Sequence, residues 1–267
     1  MAAWTRAMAA SDRLGLHGRT LTQALLGEPV EIIEERGDWA RVVLPWQPSS
    51  QDARGYPGWL RRAHLDTAGQ SKDAQVVVVT EPTATAQTAT GGLQVSYGTC
   101  LTLLDDSTDC VVVSLPGGRG ARLDRACVRP WVAEPLTGET LVRSGRRFLG
   151  LLYLWGGSSG WGLDCSGFVH LVNRRHGRRV PRDAADQQEA ARPVALDAAG
   201  PGDHYFFATP GAPVHHVGFV TNQPGAPERT MLHAPEVGVS IVDEPLALSR
   251  RTTLVTAGSL RDEASRP

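Results

Sequence analysis

An excess of charge of either sign is missing from this chain: 27 basic residues stand against 28 acidic ones, a net charge of −1 over 267 residues. Without such an excess there is no field to hold nucleic acid or anionic lipid, so neither is expected as a partner. Long apolar runs are missing too. No stretch approaches the roughly 18 apolar residues of a membrane span. The opening MAAWTRAMAASDRLGLHGRT lacks the continuous apolar segment of a secretory leader, so a soluble, cytoplasmic protein is expected. Cysteine is scarce: Cys100, Cys110, Cys127 and Cys165 include no CxxC pair. That fits neither a disulfide framework nor a zinc ribbon and leaves reduced thiols as the default. The length exceeds the roughly 100–200 residues of one domain, so two or three compact units are expected.

An internal similarity organises the first half. GEPVEIIEERGDWARVVLP, from Gly27 to Pro45, aligns without a gap on GTCLTLLDDSTDCVVVSLP, from Gly98 to Pro116, at an offset of 71. Identities are few (Gly27/Gly98, Asp38/Asp109, Val42/Val113, Leu44/Leu115, Pro45/Pro116). Both copies nevertheless show an apolar strand, an acidic turn and a second strand ending in Leu-Pro. Each closes on a similar tail, Ala63-His64-Leu65 and Ala126-Cys127-Val128, as two small β-barrels would. Pro45 to Ala63 spans 18 positions where Pro116 to Ala126 spans 10. The insertion, QPSSQDARGYPGW, is expected to put Tyr56 and Trp59 on a loop, as binding residues or as a tolerated surface insertion. TEPTATAQTATGG, Thr80 to Gly92, has little apolar content and is expected to be a long loop. From about Thr137 a helical stretch (Thr140 to Leu152), a glycine-rich turn, a helix and short strands read as an α+β domain. The expected boundaries are residues 1–70, 71–136 and 137–267.

Within YLWGGSSGWGLDCSGFVHLVNRRHG, Tyr153 to Gly177, a glycine-rich loop runs into a helix. Phe168, Leu171 and Val172 make one apolar face. Asp164 is placed to be the N-cap and Gly177 the stop. Cys165 then falls in the first turn, where unpaired amides and the helix dipole are expected to lower the thiol pKa and to offer donors to an oxyanion. Cys100, Cys110 and Cys127, in strand-like patterns, read as small buried hydrophobes.

VHHVGFVTN alternates so that His216, Gly218 and Val220 share one face and His215, Val217 and Phe219 the other. The turn NQPGAPER leads to TMLHAPEVGVSIV, so neighbouring strands are expected to present His216 and His233 together, a base and its orienter. The pair His215/His216 could also be no more than a polar strand end. His170, His176 and His204 read as surface or packing residues. Two histidines and one cysteine fall short of the four ligands of a structural zinc site, so no metal is expected, and a thiolate, a base and backbone donors need no cofactor.

YLWGG, DCSGFV, PRDAADQ, GDHYFF, HVGFV and LHAP occur here in the order seen in NlpC/P60 peptidases, and residues 140 to 240 resemble that family. The resemblance implies a papain-like fold acting on cell-wall peptides, with Cys165 as nucleophile, His216 as base, His233 as third member, Tyr153 beside the nucleophile, and Asp164 and Ser166 near the substrate. It departs at His204, where the family often carries an apolar residue. Two bacterial SH3-like barrels before an α+β papain-like domain are similar to γ-D-glutamyl-L-diamino acid endopeptidases. In those enzymes the first barrel recognises the free amine of an N-terminal L-Ala. LLGEPV and GYPGWL then imply Glu28 and Tyr56 as substrate-binding residues, and PRDAADQ adds Arg182, Asp183 and Ala184. Glu28 reads equally as a solvated strand-end charge. The expected activity is hydrolysis after γ-D-Glu in murein-peptide recycling. The alternatives are a D,L-endopeptidase of intact wall, a non-catalytic wall-peptide binder, and acyl transfer by the same residues.

Overall fold

The computed structural model describes residues 2–66, 74–131 and 136–261. The chain divides into two compact units, one holding the described residues up to Gln23 together with those from Leu136 on, the other running from Ala24 to Trp131. No described helix is long and apolar enough to cross a membrane.

The unit from Ala24 carries two antiparallel sheets. Strands β1 (Glu31–Arg36), β2 (Trp39–Leu44) and β3 (Tyr56–Arg61) form a three-stranded meander. Strands β4 (Val76–Val79), β5 (Thr83–Thr88), β6 (Gly91–Ser96), β7 (Cys100–Asp106), β8 (Cys110–Ser114), β9 (Gly120–Asp124) and β10 (Val128–Pro130) form the second sheet, in the order β10-β4-β7-β8-β9-β5-β6. The internal similarity survives at the level of single residue pairs. In β1–β2, Ile32 pairs with Val42 and Glu34 with Arg41, with a bulge between; in β7–β8, Leu103 pairs with Val113 and Asp105 with Val112, with a bulge in the same place.

Three expectations are corrected here. Thr80 to Gly92 is no long loop, because β5 and β6 make a tight hairpin from the Thr83/Ser96 pair to the Thr88/Gly91 pair. Alternation explains it: Ala84 and Ala86 are buried in the core beside Val95 and Leu123, and β-branched Thr fills the other face. The Thr88 hydroxyl donates to the Gly91 carbonyl across the turn (2.7 Å). Tyr56 and Trp59 lie on β3, paired with Leu44 and Arg41, so the insertion's irregular part ends before them. Cys100, Cys110 and Cys127 are partly exposed, since they start strands or sit in the 3-10 turn Arg125–Cys127, where side chains meet solvent.

The other unit begins with two short helices, α1 (Ala2–Ala7) and α2 (Ala10–Leu14). Its C-terminal part adds α3 (Gly138–Gly145), the two-residue strands β11 (Ser158–Ser159) and β12 (Gly162–Leu163), α4 (Cys165–Arg175) and α5 (Ala184–Ala190). After these come β13 (Arg192–Val194), β14 (His204–Ala208), β15 (Val214–Val220), β16 (Thr230–His233), β17 (Val242–Pro245), α6 (Leu248–Thr253) and β18 (Leu254–Ser259). The last six strands form one antiparallel sheet, β13-β18-β14-β15-β16-β17. Helix α3 stops before the expected Leu152: a 3-10 turn follows over Arg146–Phe148, Gly150 turns the chain at φ +83°, and Leu152 bridges to Ser240.

Helix α4 is buried on every side, not on one apolar face. Phe168, Val169, Leu171 and Val172 are fully enclosed, and so are His170, Asn173 and Arg174. Two of the polar members have partners there: the His170 ring meets the Val180 carbonyl at 2.8 Å, and the Asn173 side-chain amide donates to the Val169 carbonyl. Phe168 sits edge-on between Phe148 and Phe219, with ring centroids at 6.1 and 5.4 Å. β14 is buried along its whole length, and its first residue, His204, has its ring 4.8 Å from that of Phe219.

Burial lowers the His204 pKa to about 4, with Arg261 adding to it against the opposing pull of Asp203. An unfolded histidine titrates near 6.5, so between those values the unfolded chain takes a proton that the folded one refuses. Stability is therefore expected to fall as pH drops through that window. His204→Phe removes this contribution. At pH 5 the variant should be more stable than the parent by on the order of 2 kcal/mol relative to their difference at pH 8. Thermal unfolding across pH checks this, and parallel curves for the two proteins would exclude His204 as a source.

Candidate active site

Cys165 opens α4. Asp164 holds an extended conformation, φ −89° and ψ 179°, and its carboxylate accepts from the Gly167 amide at 2.7 Å, as an N-cap does. Gly167 is needed for contact as much as for capping. A Cβ there would stand 2.0 Å from the Gly157 carbonyl oxygen, so only glycine lets the loop Tyr153 to Gly157 rest its backbone on the first turn of the helix. The Cys165 sulfur lies 3.9 Å from the His215 carbonyl.

Burial pushes the Cys165 thiol up to about 12, the Asp164 carboxylate adds to it, and hydrogen bonds from the Val217 and Ser166 amides pull the other way. The lowered thiol pKa expected from the helix start is thus overturned in the free protein. A helix dipole contributes about 0.3–1 kcal/mol, less than the cost of a buried, unpaired anion.

His216 on β15 and His233 on β16 come together as alternation requires. His216 Nε2 and His233 Nδ1 are 2.8 Å apart, with the rings near perpendicular at 80°. Between them in the pattern is Gly218, where a Cβ would meet the Met231 sulfur at 2.6 Å and the His233 Cβ at 2.7 Å. The missing side chain is what lets β16 lean its histidine across. Burial drives the His216 pKa well below the usual imidazole value, with Arg250, His233 and His215 reinforcing it. His233 is lowered to about 4, again by burial first, with a hydrogen bond to Glu244 opposing. The cysteine and both imidazoles are neutral at rest.

Cys165 and His216 line one pocket of about 470 Å3, together with Tyr153, Trp155, Arg13, Leu14, His17, His215, Glu236 and Arg250. That volume is in the range of small-ligand sites. The end of α2 and the turn after it supply part of the wall: buried Arg13 donates to the Tyr153 carbonyl at 2.8 Å, and the His17 ring lies 4.1 Å from Trp155. Trp155 belongs to the YLWGG string and could have been read from it. Arg13, His17 and Arg250 carry no sequence signal. Burial raises the Tyr153 phenol above its ordinary value, the nearby Cys165 and Asp164 adding to it. Among the described residues no group of three or more His, Cys, Asp or Glu side chains could hold a metal ion.

Residues 150–255 match the model of the NlpC/P60 family, and residues 16–65 that of the bacterial dipeptidyl-peptidase Sh3 domain. A γ-D-glutamyl-L-lysine dipeptidyl-peptidase of Bacillus subtilis (strain 168) is 37% identical over 246 residues, covering 89% of this chain and 80% of the relative. The chain belongs to the NlpC/P60 family. A second peptidase of the same name, from Bacillus cereus (strain ATCC 10987 / NRS 248), is 34% identical over 258 residues, 91% of this chain and 76% of that one. The crystal structure of an NlpC/P60 family protein from Bacillus cereus ATCC 10987 superposes with a TM-score of 0.89 at 31% identity, over 96% of this chain and 88% of that one.

In this NlpC/P60 chain the other candidate residues are placed as follows. Asp164, Ser166 and Arg182 do not line the pocket but form a buried network behind it. Arg182 meets the Asp164 carboxylate with both terminal nitrogens, at 3.0 and 2.7 Å, and donates to Ser166 and to Thr22. Asp183 is the N-cap residue of α5 and Ala184 its first, buried residue; neither lines the pocket. Glu28 and Tyr56 belong to the other unit. There Glu28 accepts from the Leu25 amide (2.9 Å) and from Gln47 (3.1 Å), and Tyr56 is buried at the start of β3.

Replacing Arg182 by Ala leaves Asp164 buried without its countercharge. The expected loss is about 3–5 kcal/mol of stability, read as a lower urea midpoint. Arg182→Lys should recover only part of it, because an ammonium cannot reproduce the paired geometry. A variant as stable as the parent would show the pair to be dispensable.

Proposed function

We propose that this chain is the cysteine peptidase that hydrolyses the γ-D-Glu–L-diamino acid bond of murein peptides bearing a free N-terminal L-Ala, releasing L-Ala-γ-D-Glu. The observation that carries the reading is that Cys165 and His216 line one pocket and that His216 is hydrogen-bonded to the enclosed His233. Similarity over about nine-tenths of the chain to two enzymes named γ-D-glutamyl-L-lysine dipeptidyl-peptidases supports the substrate class.

In this reading the neutral thiol of Cys165 gives its proton to His216 as sulfur attacks the γ-carbonyl carbon. The proton passes from the imidazolium to the departing amine as the C–N bond breaks, leaving a thioester at Cys165. Water then adds to the thioester carbonyl, losing a proton to His216. The C–S bond breaks, and the sulfur recovers that proton. Backbone amides at the start of α4 serve the oxyanion. Asp164, Ser166 and Arg182 act by holding that helix start, with Asp183 and Ala184 continuing the same segment, and Tyr153 faces the reacting group.

Glu28 and Tyr56 are the residues assigned to the free amino group. Two hydrogen bonds already fix the Glu28 carboxylate, and a fixed carboxylate favours an ammonium over an acylated nitrogen. A free L-Ala amine exists only after the peptide has left the glycan, so this selectivity implies a role on released peptides in cytoplasmic recycling. The same reading takes the Ala24 unit as two tandem SH3-like barrels, supported by the matching registers of its two hairpins.

Mass-spectrometric analysis of products from L-Ala-γ-D-Glu-diaminopimelate and its N-acetylated form tests this directly. The parent protein should release L-Ala-γ-D-Glu from the free peptide only, Cys165→Ala should release none, and Glu28→Gln should lose at least about tenfold in kcat/KM. Equal cleavage of both peptides would redirect the reading to a wall endopeptidase. Cleavage of neither would favour a binding protein, and new amides formed with an added amine acceptor would reveal acyl transfer.

A further inference from the structure

The hydrogen bonds that leave His216 do not end at His233. The second ring nitrogen of His233, Nε2, stands 3.2 Å from Oε1 of Glu244 on β17, the strand paired with β16. Nothing in the pattern SIVDEPL marks this glutamate, whose side chain is about half exposed (49%) while His233 is enclosed (2%).

Donor and acceptor counting then fixes the protons. A carboxylate only accepts, so the bond to Glu244 requires the proton of His233 on Nε2. A neutral imidazole carries one N–H, so Nδ1 of His233 is a bare lone pair and accepts from Nε2–H of His216 across their 2.8 Å contact. With its single proton on Nε2, His216 is left with an unprotonated Nδ1. The opposite arrangement protonates that nitrogen and leaves it unable to take a proton from Cys165.

We propose that Glu244 is a positioning residue of this NlpC/P60 site, which selects the tautomer of His233 and through it that of His216, so that Nδ1 of His216 is the free base. The proposal rests on the reading of His216 as the base of Cys165. The groups that act on the pair are Arg250 on α6 and His215 on β15, which oppose a positive charge on the imidazoles, and Glu244 and Asp243 on β17, which favour one. Asp243 is already engaged by Arg146 (2.7 Å) and Thr221 (2.8 Å), which leaves Glu244 as the carboxylate that contacts the ring. By stabilising the imidazolium that forms as Cys165 gives up its proton, Glu244 also lowers the barrier to that transfer.

The experiment is nitrogen NMR of ring-labelled histidine in the full-length protein and in Glu244→Ala and Glu244→Gln, with steady-state kinetics and pH profiles on L-Ala-γ-D-Glu-diaminopimelate. In the parent both rings should show Nε2–H at pH 7.5. Glu244→Ala should lose that single tautomer, lower kcat about tenfold with KM within twofold, and move the acid limb of the kcat/KM profile to lower pH. The sign follows because the active form needs a neutral base and removing the carboxylate makes that base harder to protonate. Glu244→Gln keeps an acceptor oxygen and should hold both the tautomer and kcat within about threefold. A parent spectrum with Nδ1 of His216 protonated overturns the proposal even if the alanine variant does not fold. Unchanged tautomers and kcat in Glu244→Ala overturn it as well. The spectra need no substrate, so they separate failure of this proposal from failure of the substrate reading.

Discussion

A guanidinium and a carboxylate shut away from water hold the start of α4, and much of the site is built on their contact. Arg182 has five N–H donors, and each has an acceptor: Nε reaches Thr22, Nη1 reaches Asp164 and Ser166, and Nη2 reaches Asp164 and the Gly157 carbonyl. Burying two charges costs more than one good bond returns, so such a pair persists only where the remaining donors are matched too. Here the matching partners come from the N-terminal segment, the glycine-rich loop and the first turn of the helix. Asp164 meanwhile spends a lone pair on the Gly167 amide, so the residue that caps the helix is the one that anchors Arg182. Moving any of these pieces would move Cys165.

The same exclusion of water decides where the protons rest. Burial raises the thiol and lowers both imidazoles; Asp164 adds to the first and Arg250 to the second, while Arg182 favours the thiolate and Glu244 an imidazolium at His233. The free site is therefore uncharged at the reacting atoms. In the proposed mechanism charge appears only as the proton moves, at the moment the amides of Val217 and Ser166 and the carboxylate beyond His233 have something to stabilise. Interactions realised late in the reaction lower its barrier, whereas those present from the start also stabilise the resting state.

The capping of α4, the stop at Gly177 and the facing of His216 towards His233 were legible in the sequence because each depends on a short local pattern: an N-cap residue, a glycine with positive φ, a period of two. Burial was not legible. It depends on what packs against an element from elsewhere in the chain, and so the thiol was read with the wrong sign and α4 with one buried face. The Thr80 to Gly92 hairpin was missed for a related reason. Alanine scores as weakly apolar, yet Ala84 and Ala86 suffice where the opposing core residues already fill the space. Arg13 reaches Tyr153 from the far end of the chain, and Arg250 and Glu244 meet their partners across strand and helix boundaries, so no local pattern announces them.

The tandem hairpins of the Ala24 unit show what sparse identity can preserve. Gly27 and Gly98 both take a left-handed conformation, φ +74° and +76°, which other residues rarely adopt. The carbonyls of Asp38 and Asp109 accept from the amides of Arg62 and Arg125, the first residues of the 3-10 turns Arg62–His64 and Arg125–Cys127, at 2.9 and 3.1 Å. Val42 and Val113 are buried at corresponding places in the second strand, and Leu44 and Leu115 are buried at or just past its end. Each of these shared residues thus serves a backbone conformation, a closing hydrogen bond or a core position. A bulge adds one residue to a strand and reverses which side chains face inward beyond it, so its recurrence at the same offset requires the pattern on both sides to have been kept in step. The turn glycine, the closing bond and the bulge thus recur together at one offset in the two hairpins.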